Sequence, residues 1–442
     1  MKKELIISYE DDASKIALIE DGRLFELHEI KQNTDFVVGD IFVGKIKKLA
    51  PNLNAAFVNI GYEKDAFLHY QDLGPQYFTY RKFLKDVVSR KQQSSSLKNF
   101  EIQPETDKHG TVDKVLNAGD EVLLQITKEP ISTKGPRIST QISLTGRFLV
   151  LIPFDNKVSI SKKVKSAEEK ARLKTLIESI KPEGFGVIIR TVAEGKKVAE
   201  LHNDMNQLVD KWNVCFKNIQ KNKTPAKVLS EEDKASAILR DNFNQDFVSI
   251  ICDDEQMVND MKNYLEVIAP ERKNIVQFYD SHIPLLEYYN VEKQLKQSFG
   301  KHVNIPSSKG AYLVIEHTEA LHVVDVNSGN NISSGTANKE HALNVNKMAA
   351  TEIARQLRLR DMGGIIVVDF IDMPNPDHRK DLYEHLREEM KRDKAKHKIL
   401  PPSKFGLIQI TRQRVRPEKQ IDTKEENPNK DGEILAPIFV VE

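Results

Sequence analysis

Two apolar runs that each carry an acid near their end, LHVVDVN at 321–327 and GIIVVDFIDM at 364–373, constrain this chain more than any other feature. Both are short and rich in Val and Ile, which reads as β-strand. Side chains alternate along a strand, so Val324 and Val326 share one face while Val323, Asp325 and Asn327 share the other. The acid and the amide therefore project together. A carboxylate left unpaired in apolar surroundings is costly, so Asp325 requires a cationic partner, a metal ion or water at the strand end. Between the two runs, Val345, Met348, Ala349, Ile353 and Leu357 follow helical spacing from about Ala342 to Arg360, and Gly363-Gly364 is expected to stop that helix. The second run is continuous enough to predict a strand in a sheet covered on both faces, with Asp369 placed late in it. Asn375 and Pro376 then supply the cap and first position of another helix.

Asp325 and Asp369 are thus two acids late in strands of an open α/β arrangement, where ligand crevices form at carboxyl strand ends. A few carboxylates with the remaining positions left to water and phosphate oxygens suit magnesium rather than zinc. Magnesium there fits phosphodiester hydrolysis, with Asn327 orienting an acid or the attacking water. The plainer alternative stays open at this point: both acids ion-paired with Arg355, Arg358 or Arg360.

The segment that follows is basic. Residues 379–419 contain 13 Lys or Arg against 6 Asp or Glu, although the whole chain is nearly balanced at +1. A local excess of that kind suits a phosphate backbone. Within TRQRVRP an extended chain would set Arg412, Arg414 and Arg416 on one face. At 442 residues the chain is long enough for about three or four domains. Residues 4–30 read as a three-strand meander turning at Asp21-Gly22, and 37–70 as the short strands of a small barrel. From about Arg81 to Gly110 the sequence turns polar and is expected to be a mobile insertion. The N-terminus lacks a signal-peptide core and no apolar run is long enough to span a bilayer, so a cytoplasmic protein is expected. Cys215 and Cys252, the only cysteines, are expected to be buried free thiols.

EALHVVDVNSG, EIARQLRLRDMGGIIVVDFIDM and KFGLIQITRQRVRP together resemble the catalytic core of the RNase E/G endoribonucleases. GDIFVGKIKKLAPNLNAAFVNIGYEKDAFLH resembles that family's OB fold, and KGPRISTQISLTGRFLVLIP and GFGVIIRTVAEGK its segment that senses the RNA 5′ end. The resemblance implies a multidomain α/β and β architecture. A degenerate RNase H-like domain (1–37 and 217–279) would be split by an OB-fold RNA-binding domain (38–127) and a 5′-sensor segment (128–216). A DNase I-like catalytic domain (280–413) and a degenerate linker with the start of a small domain (414–442) would follow.

By motif match, Asp325 and Asp369 would be magnesium ligands and Asn327 would position an acid or the scissile phosphate. Phe57 and Phe67 would stack on bases, Arg412, Arg414 and Arg416 would contact RNA, and Gly135, Arg190 and Thr191 would hold a 5′-monophosphate. The implied substrate is single-stranded RNA in mRNA decay and processing of rRNA precursors, cut to 5′-monophosphate and 3′-hydroxyl products. A homodimer or tetramer is the implied assembly. The family's zinc-linker CPxC is replaced by Asn427-Pro428-Asn429-Lys430, so both thiolates are gone and zinc is not expected. The chain is also expected to lack the family's complete C-terminal small domain. A non-catalytic RNA scaffold would have no need for both strand-end acids. A DNase or phosphatase would not need the OB fold or the 5′ pocket.

Overall fold

The computed structural model describes residues 2–9, 13–31, 36–130, 134–231, 234–308, 310–329, 337–414 and 418–419. The chain groups into two compact units, Met1–Gln32 with Asn244–Glu442, and Asn33–Phe243. Arg416, Asn427 and Lys430 lie outside the described residues.

In the first unit the meander forms as expected: Lys3–Tyr9, Ala13–Glu20 and Arg23–Lys31 are antiparallel neighbours. Asp21 and Gly22 both have positive φ, 47° and 78°, as a two-residue hairpin turn of this composition requires. Lys3–Tyr9 also pairs in parallel with Phe247–Cys252, placing Leu5 opposite Ile250 and Ile7 opposite Cys252. Ile6, Ala17 and Leu24 pack with Leu285, Leu295 and Phe299 to form the core beneath this sheet.

A second, six-stranded sheet runs in the order His302–Asn304, Tyr312–His317, Leu321–Asn327, Gly364–Asp369, Ile408–Arg412, His397–Ile399. The helices Ala337–Leu359 and Pro376–Met390 supply Val345, Ile353, Leu357, Leu382 and Leu386 to a core shared with Val324, Ile366, Val368 and Ile410. The expected cover on both faces of the second strand does not form: Ile366 and Val368 are fully buried, but Ile365 is 41% exposed. Asn375 caps the second helix as the sequence predicts, its side chain accepting from the Asp377 N–H, with Pro376 opening the helix.

Gly363-Gly364 turns out to have a different job from the one its sequence suggests. The first helix ends at Leu359, and the left-handed residue that closes it is Asp361, φ 56°. The glycines instead admit another part of the chain. A Cβ on Gly363 would stand 2.7 Å from Cγ and 3.0 Å from Cα of Arg414.

The second unit is built on a closed five-strand barrel: Ile41–Ala50, Ala55–Asn59, Ala66–His69, Arg137–Ser139 and Glu121–Lys128, the last pairing back to the first. It is OB-like. Ala226–Leu229 adds to Ile41–Ala50, and residues 217–221 finish the helix Val198–Lys221, so both stretches belong to this unit. A four-stranded sheet of Val158–Ile160, Phe185–Ile189, Leu149–Pro153 and Leu144–Thr145 lies in the same unit.

The expected mobile insertion is corrected here. Tyr77–Val88 is a helix whose Tyr80, Phe83, Leu84 and Val87 are buried, and the polar stretch after it wraps back. Leu97 is buried in the same core, Phe83 stacks 5.4 Å from Trp212, and the Trp212 indole N–H donates to the Ser95 carbonyl at 2.9 Å. Burying large aromatics there outweighs the polar composition of the connecting loop. Cys215 and Cys252 are buried free thiols, each pushed up to about 12 by burial. Among the described residues no helix is long and apolar enough to cross a membrane.

Candidate active site

A strand, a crossover helix and a parallel neighbouring strand bring the two acids together. Leu321 pairs with Ile365, and the parallel register carries on to set Asp325 directly opposite Asp369. Register partners in a parallel pair point to the same face, on strands about 4.8 Å apart. That face is open. Val324, Val326, Ile366 and Val368 are buried on the other side, while Asp325 and Asp369 are both exposed, so neither charge sits in the apolar surroundings first expected. The Asn327 amide Nδ2 donates to Asp325 Oδ2 at 2.8 Å, which fixes that carboxylate's orientation. The Asp369 carboxyl is raised above the ordinary range by partial burial first, then by the negative charges of Asp325 and Asp372.

The arginines that offered the plainer explanation are committed elsewhere. Arg355 is bonded to Glu352 at 2.6 Å, Arg358 to Glu26 at 2.8 Å and Glu20 at 3.3 Å, and Arg360 to Gln356 at 2.7 Å. Among the described residues neither strand-end acid has an ion-pair partner, and no group of three or more His, Cys, Asp or Glu is gathered around a metal-sized space. Two adjacent carboxylates and no sulfur or imidazole donor would not make a zinc site. They do fit magnesium, which retains several waters and takes one or two protein carboxylates.

One positioning residue escaped the sequence reading. Asn346, fully buried on the crossover helix, accepts from the Ile371 N–H at 3.0 Å and donates to the Ile371 carbonyl at 2.8 Å. The backbone two residues past Asp369 is thereby tied to the helix layer. The signal was an amide inside an apolar helical stripe, next to Val345.

Arg412 is a correction. Period two predicts a face shared with Arg414 and Arg416, but Arg412 is 5% exposed, with Nε 2.6 Å from Asp393 Oδ2 and Nη1 donating to the Met362 carbonyl at 2.8 Å. Its guanidinium is spent inside the fold, because a partner 19 residues upstream in sequence reaches it. Arg414 is exposed.

In the second unit Phe57 and Phe67 are directly opposite on antiparallel strands, half-buried, with ring centroids 5.9 Å apart in an edge arrangement. They line a cavity of about 690 Å³ together with Lys128, Lys134, Gly135 and Arg137. Gly135, assigned from sequence to the 5′-end pocket, lies here beside the aromatic pair. Arg190 follows the Phe185–Ile189 strand and precedes the short turn Thr191–Ala193; its Nη1 donates to the Gly146 carbonyl at 2.8 Å. The Thr191 hydroxyl lies 3.1 Å from that of Ser161. Beneath them Asp204, also missed from sequence, accepts from the N–H groups of Arg147, Phe148 and Leu149, each at 2.9 Å. Burial raises its carboxyl despite those amides and Arg190, which act in the opposite sense.

Comparison with known proteins gives the family. A model described as the Ribonuclease E/G family matches residues 143–415. The chain is 33% identical over 414 residues to Ribonuclease G of Haemophilus influenzae, covering 93% of this chain and 80% of that protein. Against Ribonuclease G of Escherichia coli it is 31% identical over 417 residues, covering 94% and 81%. Against Ribonuclease E of Nostoc sp. it is 34% identical over 418 residues, which spans 94% of this chain and 56% of that protein. The chain belongs to the Ribonuclease E/G family of endoribonucleases.

Proposed function

We propose that this chain is a magnesium-dependent endoribonuclease that cuts single-stranded RNA to 5′-monophosphate and 3′-hydroxyl products. The observation that carries the reading is the pairing of Asp325 with Asp369 on an open face, with no ion-paired cation among the described residues. These two carboxylates would hold the ion. When bound, magnesium would supply Lewis acidity at a phosphoryl oxygen and lower the pKa of a coordinated water. Asn327 keeps Asp325 aimed and presents its own carbonyl oxygen beside the phosphate. Asn346 holds the loop after Asp369, so that the second carboxylate is presented at a fixed height. Phe57 and Phe67 stack on bases upstream, with Lys128 and Lys134 near the backbone phosphates.

Arg190 and Thr191 read a 5′-monophosphate: a guanidinium fork and a hydroxyl match phosphate oxygens, and Asp204 holds the loop on which Arg190 rests. The main chain at Gly135 closes the 5′-monophosphate pocket, and Arg414 and Arg416 are phosphate contacts. The subdomain assignment follows the family: RNase H-like, OB-fold, 5′-sensor and DNase I-like parts. The wider role is mRNA decay and rRNA processing in the cytoplasm, as a homodimer or tetramer. Zinc is not part of the assembly, since Asn427 and Lys430 stand where cysteines would be required.

The test uses two fluorescent single-stranded RNAs that differ only in carrying a 5′-monophosphate or a 5′-hydroxyl. Cleavage should require magnesium, stop on chelation, and be faster for the monophosphate at low substrate concentration. Absence of magnesium-dependent cleavage by the full-length chain overturns the enzyme reading; equal rates on both RNAs overturn the sensor.

A further inference from the structure

The most exposed large apolar side chain among the described residues is Phe405, at 87%, against 58% for the next, Leu53. A phenylalanine held that far into water forgoes most of the gain of burial, and here it is not on a loose tip. The turn that carries it is braced by one side chain. The Ser403 hydroxyl accepts from the N–H groups of both Phe405 and Leu407, each at 3.2 Å. The Ser403 N–H donates to the Leu407 carbonyl at 2.9 Å, and the Gly406 N–H to the Ser403 carbonyl at 3.0 Å. The sequence places an aromatic ring there and the backbone keeps it presented.

Its location ties it to the acids. Ile408 pairs with Val368 in antiparallel register, so the turn stands at the same sheet end as Asp369. Phe405 borders a cavity of about 490 Å³ whose other walls include Ile371, Asp372, Arg379 and Lys404. Arg379 is fixed by Nη1 donating to the Met373 carbonyl at 2.6 Å and the Pro374 carbonyl at 3.1 Å, which leaves its other N–H donors for an anion. Lys404 is exposed and has no ion pair among the described residues.

An aromatic face flanked by two cations, continuous with the backbone that carries Asp369, has the composition of a single-strand nucleotide site. We infer that Phe405, Lys404 and Arg379 form a nucleotide subsite in which the ring stacks on an RNA base next to the scissile phosphate and the two cations contact the flanking phosphate. This rests on the endoribonuclease reading above. It adds a second stacking platform in the catalytic unit itself, separate from Phe57 and Phe67.

The experiment combines steady-state cleavage with a binding signal that needs no catalysis. Phe405→Ala should raise KM for single-stranded RNA by about tenfold, in the range expected for losing one stacked base, with kcat changed less and Tm unmoved. Phe405→Trp should retain wild-type KM within about twofold. Its indole emission, read as a difference over the buried Trp212, should change on titration with an oligoribonucleotide in EDTA. Lys404→Ala should weaken binding less and reduce its salt dependence. A wild-type KM for Phe405→Ala, or silent emission from Phe405→Trp on RNA binding, overturns the subsite. An emission change without any cleavage by the wild type keeps the subsite and removes the nuclease reading. A change in sedimentation with unchanged KM assigns Phe405 to a protein contact and also overturns it.

Discussion

Two groups of charge lie in the same unit, and they are arranged on opposite principles. Around the C-terminal half of the crossover helix, Glu352 and Arg355 are 1% and 4% exposed and are bonded to each other, and Arg358 is closed by Glu20 and Glu26. At the adjoining strand ends, Asp325 and Asp369 face water side by side, with the Asn327 amide bonded to Asp325 and no ion-paired cation among the described residues. The buried charges of that helix are compensated by the chain. The two strand-end acids are left without an ion pair among the described residues, and Asp369 bears the cost as a carboxyl raised by partial burial and by its acidic neighbours. Compensation marks an acid that serves the fold. Its absence marks one reserved for something the chain does not supply.

Changes at the two groups should therefore fail in different assays. Asp325→Asn or Asp369→Asn is expected to lower kcat by on the order of 10³-fold, about 4 kcal/mol of barrier, while thermal melting stays at the wild-type Tm or rises slightly. A large drop in Tm would show that these acids belong with the structural group. Glu352→Ala should do the reverse, costing about 3–5 kcal/mol of stability by stranding Arg355 in the interior, with near wild-type cleavage at a temperature where the variant is folded. Denaturant titration measures the first and single-turnover cleavage the second.

Asn346→Ala sits between the groups, since it unties the backbone after Asp369. A loss of about 1–3 kcal/mol is expected from the unpaired Ile371 amide and carbonyl, together with a fall in kcat that exceeds the rise in KM. Equal wild-type kinetics would make it a packing residue only. The smallest effect is one of pH. Burial pushes the Glu26 carboxyl up, but its hydrogen bond to His28 and the Arg358 charge outweigh this and hold it well below the usual carboxylate range. A depressed folded-state value gives stability that is complete above the unfolded value, near pH 4.5, and is lost as pH falls through the folded one. Glu26→Gln should flatten that acid limb of the melting curve without altering the cleavage profile near neutrality.

The sequence made the first part of this comparison legible and hid the second. Period two put Asp325 and Asn327 on one side of a strand, and a helix between two β-rich runs implied the crossover; from there the register needed only the pairing of Leu321 with Ile365. Long-range partners have no such signature. Arg412 alternates with Arg414 in sequence, yet Asp393 captures it, and nothing in local spacing distinguishes a captured guanidinium from a free one. The helix Tyr77–Val88 shows the converse. Tyr77, Tyr80, Phe83, Leu84 and Val87 have helical spacing, but the run after them is polar, and Trp212, which stacks on Phe83, lies far along the chain. Asn346 and Asp204 were passed over for a similar reason: each is a polar residue in an apolar helical stripe, and its use lies in a backbone segment distant in sequence.

The close packing of Arg414 against Gly363 and Gly364 bears on a matter of parity. Gly364 opens a six-residue strand whose last member is Asp369. Adding or removing one residue from that count would not slide the carboxylate along the sheet by one step; it would turn it to the opposite side, among Val345, Ile353 and Leu357. By crowding the strand's first residues so tightly that no side chain fits at Gly363, the Arg414 backbone acts as a stop against such a slip. The placement of the acid is then an odd-or-even decision taken five residues before it.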